Sequence, residues 1–148
     1  MTETVLEWSD QFSTDIVSID RQHQNLLQLL QNLQVVLPSD DKTLSDKQGI
    51  YMNLVDHALM HFEYEERIMR NIGYPGIDEH IQEHDELRTE IGNITKKVMD
   101  GKELEELIGL VCMVQVWLLR HISASDTKIR DHLHRDDNEL VIDLYTGT

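Results

Sequence analysis

Residues 57–85 read HALMHFEYEERIMRNIGYPGIDEHIQEHD, and within them stand His61-x-x-x-Glu65, a short Gly/Pro break and His80-x-x-x-His84. Four residues advance an α-helix by about 400°, so each pair projects from one face about one turn apart. Two helices joined at the Asn71–Gly76 turn run antiparallel and face three imidazoles and a carboxylate toward each other. That is half of a metal site, and the flanking sequence supplies the other half.

Upstream, a helix over about 19–37 carries the stripe Ile19, Leu26, Leu30, Leu33 and Leu37, with His23 filling the gap on the same face. Pro38 and the following Ser-Asp-Asp end it. A second helix, about 46–70, opens at Ser45-Asp-Lys-Gln48, which has capping-box form, and runs through Ile50, Leu54, His57, His61, Glu65 and Ile68. The third, about 77–100, keeps a 3,4 rhythm from Ile77 through His80, His84, Leu87, Ile91 and Ile94 to Val98, and stops at Asp100-Gly101. The fourth, about 103–131, carries Leu104, Leu107, Val111, Val114, Leu118, His121 and Ser125. Residues 1–18 lack helical period and read as an extended arm whose Trp8 and Phe12 cover one end of the domain. Residues 132–148 read as a tail or linker, acidic and then strand-like at Val141–Tyr145. The expected fold is all-α: an up-down-up-down four-helix bundle over residues 1–131.

In that topology odd helices rise from one end and even helices return to it. His23, His61, Glu65, His80, His84, His121 and Asp126 then fall within about two turns of the same end, at similar depth. A lone histidine on an apolar stripe is ordinarily a hydrogen-bonded core residue. Five of them on four stripes at one level are not, because Leu and Ile offer no partners to several buried imidazoles and two acids. Metal binding resolves the conflict. Seven donors are too many for a structural zinc, which takes four and commonly uses cysteine. Mixed imidazole and carboxylate donors suit iron, copper or manganese, and carboxylates able to give one oxygen to each of two ions point to a dinuclear centre.

Composition narrows the partners. The net charge of −15 disfavours nucleic acid and anionic membrane surfaces. No apolar run of membrane-spanning length is read, and the N-terminus MTETVLEWSD has no signal-peptide core, so a cytoplasmic location is expected. The single cysteine, Cys112, lies among Val111, Met113 and Val114 and reads as a small core residue.

The pattern His23 … His61-x-x-x-Glu65 … His80-x-x-x-His84 … His121-x-x-x-x-Asp126, headed by Ile19-Asp20-Arg21-Gln22-His23 and preceded by Trp8, resembles the hemerythrins, and among them the bacterial ones, over about residues 5–131. The resemblance implies a non-haem di-iron site. His80, His84 and His121 would hold one iron, and His23 and His61 the other. Glu65, Asp126 and an oxygen atom from solvent would bridge them. It also implies reversible dioxygen binding, for storage, transport or delivery, at the open position on the two-histidine iron. Residues matching the family's oxygen pocket are Leu26, Phe62, Trp117 and Leu118. No enzymatic role follows from it.

Asp126 fits the geometry least well. Five residues from His121 is about 140° around an ideal helix, so it lies on the flank unless its carboxylate reaches or a π-bulge intervenes. The resemblance alone promotes it to a ligand. Asp20 reads as a first-turn acid rather than an orienting partner of a ligand. His57 reads as a core histidine behind His61, His132 and His134 as solvated tail residues, and Glu63 and Glu66 as a charged outer face. Two other functions compete. A di-iron oxidase of ferritin type would need Glu-x-x-His, and no histidine here has a Glu three positions before it. An oxygen or redox sensor would use residues 132–148 to reach a fused or docked effector.

Overall fold

The computed structural model describes residues 8–102 and 104–135. Helix α1 spans Val17–Val36, α2 Leu44–Asn71, α3 Ile77–Asp100 and α4 Leu107–His121. A π-helical turn, Ile122–Asp126, continues α4 into α5, Thr127–Arg135, and the three segments form one rod. The short connections make neighbours antiparallel: α1 packs on α2, α2 on α3, α3 on α4, and α4 closes against α1. The architecture is the expected four-helix bundle, and no strand occurs among the described residues.

The helix boundaries follow local chemistry. At the start of α2, Thr43 Oγ1 accepts from Asp46 N at 3.1 Å and Asp46 Oδ2 from Thr43 N at 3.4 Å, a reciprocal cap. The expected box at Ser45–Gln48 is therefore displaced by two residues. Gly101 ends α3 at φ +77°, and a Cβ there would sit 2.8 Å from Leu44 Cδ2, so the position requires glycine.

The arm is short and tied down. Ser9 caps a single 3-10 turn, Asp10–Phe12, and α1 starts two residues before the expected boundary. Asp20, in the first turn of α1, accepts from Thr14 N and Thr14 Oγ1, each at 2.9 Å, and from Ser13 Oγ at 2.7 Å. It ties the arm to the first turn of α1, a role its position alone did not reveal. Trp8 and Phe12 pack against the larger apolar cluster, with Trp8's ring 6.5 Å from that of His23. Residues 1–7 of the expected arm and 136–148 of the expected tail lie outside the described residues.

Several expectations are corrected. The fourth rod runs past Asp131 to Arg135, because Ile129 and Leu133 bury a fourth apolar stripe. His132 is therefore buried and meets the Ile72 carbonyl at 3.1 Å, whereas His134 stays exposed and pairs with Asp15 at 2.6 Å. His57 is exposed and turned back on the Asn53 carbonyl at 2.8 Å, since the 40° left over from each four-residue step carries it off the inner face. Cys112 is exposed as well: α4 is apolar on every side, so periodicity does not reveal which face turns inward. Leu107–His134 is, on length and composition alone, apolar enough to cross a membrane, contrary to expectation.

Two apolar clusters form the core. The larger includes Leu26, Phe62, Leu87 and Leu118; the smaller comprises Ile16, Ile19, Ile68, Met69, Ile72, Tyr74, Ile129 and Leu133. On each helix the histidines and acids lie in sequence between members of the two clusters. The bundle is thus oil above and below a single polar layer.

Candidate metal centre

That layer is built one helix at a time. α1 contributes His23, α2 His61 and Glu65, α3 His80 and His84, the end of α4 His121, and the π turn Asp126. All seven side chains are at most 3 % exposed. The extra residue of the π turn stretches one turn to more than four residues, so a separation of five brings Asp126 back onto the His121 face.

The two carboxylates divide their oxygens between two sets of imidazoles. Glu65 Oε1 lies 2.9 Å from His80 Nε2 and 3.0 Å from His84 Nε2, while Oε2 lies 3.5 Å from His23 Nε2 and 3.6 Å from His61 Nε2. Asp126 Oδ1 lies 2.7 Å from His80 Nε2 and 3.0 Å from His121 Nε2, with Oδ2 2.9 Å from His23 Nε2. Two donor groups result. Glu65, His80, His84, His121 and Asp126 form one, and His23, His61, Glu65 and Asp126 the other, each with its ligand atoms within 4.8 Å of one another.

The donors fit metal ions better than they fit each other. Among the described residues, the buried side-chain nitrogens and oxygens with no hydrogen-bond partner all belong to this layer: both His23 nitrogens, His84 Nε2, His121 Nε2, Glu65 Oε2 and both Asp126 oxygens. Several of these atoms are close together yet miss hydrogen-bonding directions. Cis donors at about 2.1 Å from one ion stand about 3.0 Å apart, within the 2.7–3.6 Å range of the contacts here.

Charge within the layer is strongly coupled. Burial opposes protonation of His23 and His80, but the Asp126 and Glu65 carboxylates outweigh it and raise these rings to about 9 and about 10. His121 is raised in the same way, mainly through Asp126. Burial prevails at His61 and lowers it to about 3. Burial alone would raise the Glu65 and Asp126 carboxyls, yet the surrounding imidazoles hold both well below the usual range.

Outside the layer stand residues the sequence reading missed or misplaced. His61 Nδ1 donates to Gln22 Oε1 at 2.7 Å, His84 Nδ1 to Glu66 Oε2 at 2.8 Å and His121 Nδ1 to Glu83 Oε1 at 2.7 Å. Glu66 is buried rather than on the outer face; only its neighbour Glu63 is exposed. Each acceptor adjoins a donor in sequence but serves an imidazole on another helix. Adjacency to a residue of the layer is the one signal that could have flagged them.

Below the layer is an apolar cavity of about 40 Å³. It reaches from Leu26, Phe62 and Leu118 beside the histidines to Leu33, Tyr51 and Ile94 farther along the bundle. Trp117, expected with the first three, does not line it. Trp117 is 100° from Leu118 on the helix, and its ring stacks on His121 at 5.2 Å and 10°.

Fold and site together define a helical-bundle protein with a buried cluster of histidines and acids able to hold metal ions. Residues 14–141 match the hemerythrin HHE cation binding domain, and the chain belongs to the hemerythrin family. It is 30% identical over 126 residues to the bacteriohemerythrin of Methylococcus capsulatus, covering 85% of this chain and 91% of that one. The bacteriohemerythrin of Pseudomonas aeruginosa is 28% identical over 143 residues, 96% of this chain and 90% of its own. The crystal structure of wild-type hemerythrin superposes with a TM-score of 0.77 at 25% identity, over 88% of this chain and 98% of that chain.

Proposed function

We propose that this chain binds dioxygen reversibly at two iron ions, one held by His80, His84 and His121, the other by His23 and His61, with Glu65 and Asp126 shared. The observation that carries the reading is that each buried carboxylate turns one oxygen to rings of the His80–His84–His121 set and the other to the His23–His61 set. The iron pair, when bound, supplies electrons that dioxygen borrows and returns on release.

The chain's own residues do the rest. Glu65 and Asp126 stay ionised and offset part of the metals' charge. The two-histidine side offers one protein donor fewer, which leaves room for a small ligand. Leu26, Phe62 and Leu118 wall that region with hydrocarbon and keep water and protons from it, as reversibility requires. The five-to-two ratio of imidazole to carboxylate supports a carrier or store over an oxidase of the carboxylate-rich type.

The test is to load the chain with ferrous iron without oxygen, count the iron, and record visible spectra reduced, oxygenated and oxidised. Two irons per chain and a coloured oxygenated form that reverts when oxygen is removed are expected. One ion per chain, or continuous oxygen consumption with a reductant, refutes it.

A further inference from the structure

The imidazoles are held from behind unequally. On the three-histidine side, His84 and His121 donate their outer N–H groups to carboxylates. Glu66 is fixed by Arg88 Nη2 at 2.8 Å, and the Arg88 guanidinium lies 5.4 Å over the Phe62 ring, its other arm on Asp85 at 2.8 Å. Glu83 takes the Ser125 hydroxyl at 2.8 and 3.0 Å from its two oxygens. The ring faces are held as well: Phe62 stacks on His84 at 4.6 Å and 27°, and Trp117 stacks on His121. On the two-histidine side the acceptor behind His61 is the neutral amide of Gln22, and the buried Nδ1 of His23 has no partner.

An anionic acceptor makes an imidazole a stronger donor and fixes its tautomer and plane, so less order must be imposed when a metal arrives. The three-histidine side has this support on two rings and also has one more donor. We propose that Glu66 and Glu83 are positioning residues that set the order of loading: the His80–His84–His121 position fills first and the His23–His61 position second. This rests on the dinuclear reading above.

The test uses the metal-free full chain titrated with Co(II) without oxygen, followed by calorimetry and by paramagnetically shifted proton NMR. Wild type should show two steps, the first at least about tenfold tighter. The first equivalent should bring up the exchangeable Nδ1–H signals of His84 and His121, and the second equivalent that of His61. E83Q and E66Q should each weaken the first step about 10- to 100-fold while leaving the second nearly unchanged. Gln22→Ala should do the reverse, and Q22E should narrow the gap by strengthening the second step. The wild-type NMR order needs no variant, so a misfolded mutant cannot shelter the idea. A His61 signal at the first equivalent, or equal weakening of both steps by E83Q and E66Q, overturns the loading order and leaves the dinuclear reading standing. Uptake of only one ion overturns that reading itself.

Discussion

Filling the site must expel protons, and the number follows from the layer's own charge. In the metal-free chain His23 and His80 titrate at about 9 and about 10 because Glu65 and Asp126 face them. At pH 7 both rings therefore carry protons, while the two acids are ionised. A metal ion needs the ring nitrogen bare, so loading both positions displaces at least these two protons, with His121, also raised, adding up to one more. Two protons make the overall binding constant rise by about a hundredfold per pH unit near neutrality, with the slope falling as the pH passes about 9 and then about 10. The assay is an oxygen-free pH-stat titration with Co(II) in unbuffered salt, counting protons per ion. Competition with a chelator at pH 6.5, 7 and 7.5 supplies the slope. Fewer than one proton per pair of ions, or a slope below tenfold per unit, would refute the reasoning that imidazolium–carboxylate pairs occupy the layer before metal does.

The same raised values set the stability of the metal-free chain. A folded value above the unfolded value of about 6.5 stabilises the fold below that pH, and the benefit is lost as pH rises through about 9 and about 10. Urea midpoints of metal-free protein should fall between about pH 6.5 and about 10, a fall the loaded protein should not share. His61, lowered to about 3, acts oppositely and costs stability as pH falls below about 6.5. Leu33, fully buried and remote from the histidines, gives a packing test: Leu33→Ala should cost about 2–5 kcal/mol in denaturant unfolding without changing the number of metal ions bound. The displaced cap is tested by a pair of variants. Thr43→Ala should cost about 0.5–2 kcal/mol and Ser45→Ala close to nothing. Equal costs would put the start of α2 back at Ser45.

Much of this protein is legible in one dimension because helices are periodic. The spacing of His61 from Glu65 and of His80 from His84, the apolar stripes, and the stops at Pro38 and Gly101 required only 3.6 residues per turn and local sterics. Bundle, topology and the common depth of the histidines follow from those alone. Where local signals tie, the chain needs its neighbours to decide. Thr43-x-x-Asp46 and Ser45-x-x-Gln48 are both plausible caps, and the folded chain uses the first. On α4, apolar all round, only packing shows that Cys112 faces out and Gln115, paired with Gln34 of α1, faces in.

Tertiary structure alone decided which polar atom each ring meets on a neighbouring helix. Gln22, Glu66 and Glu83 look like solvated surface residues because each serves a ring on another rod, and sequence spacing carries no information about that distance. Asp126 reached the layer only through the π turn, since five residues miss the face of an ideal α-helix and meet it when one turn is widened. Periodicity determines which way a side chain points along its own helix, whereas the distance between two rods, and so the partner each polar atom finds, is set only when their surfaces pack.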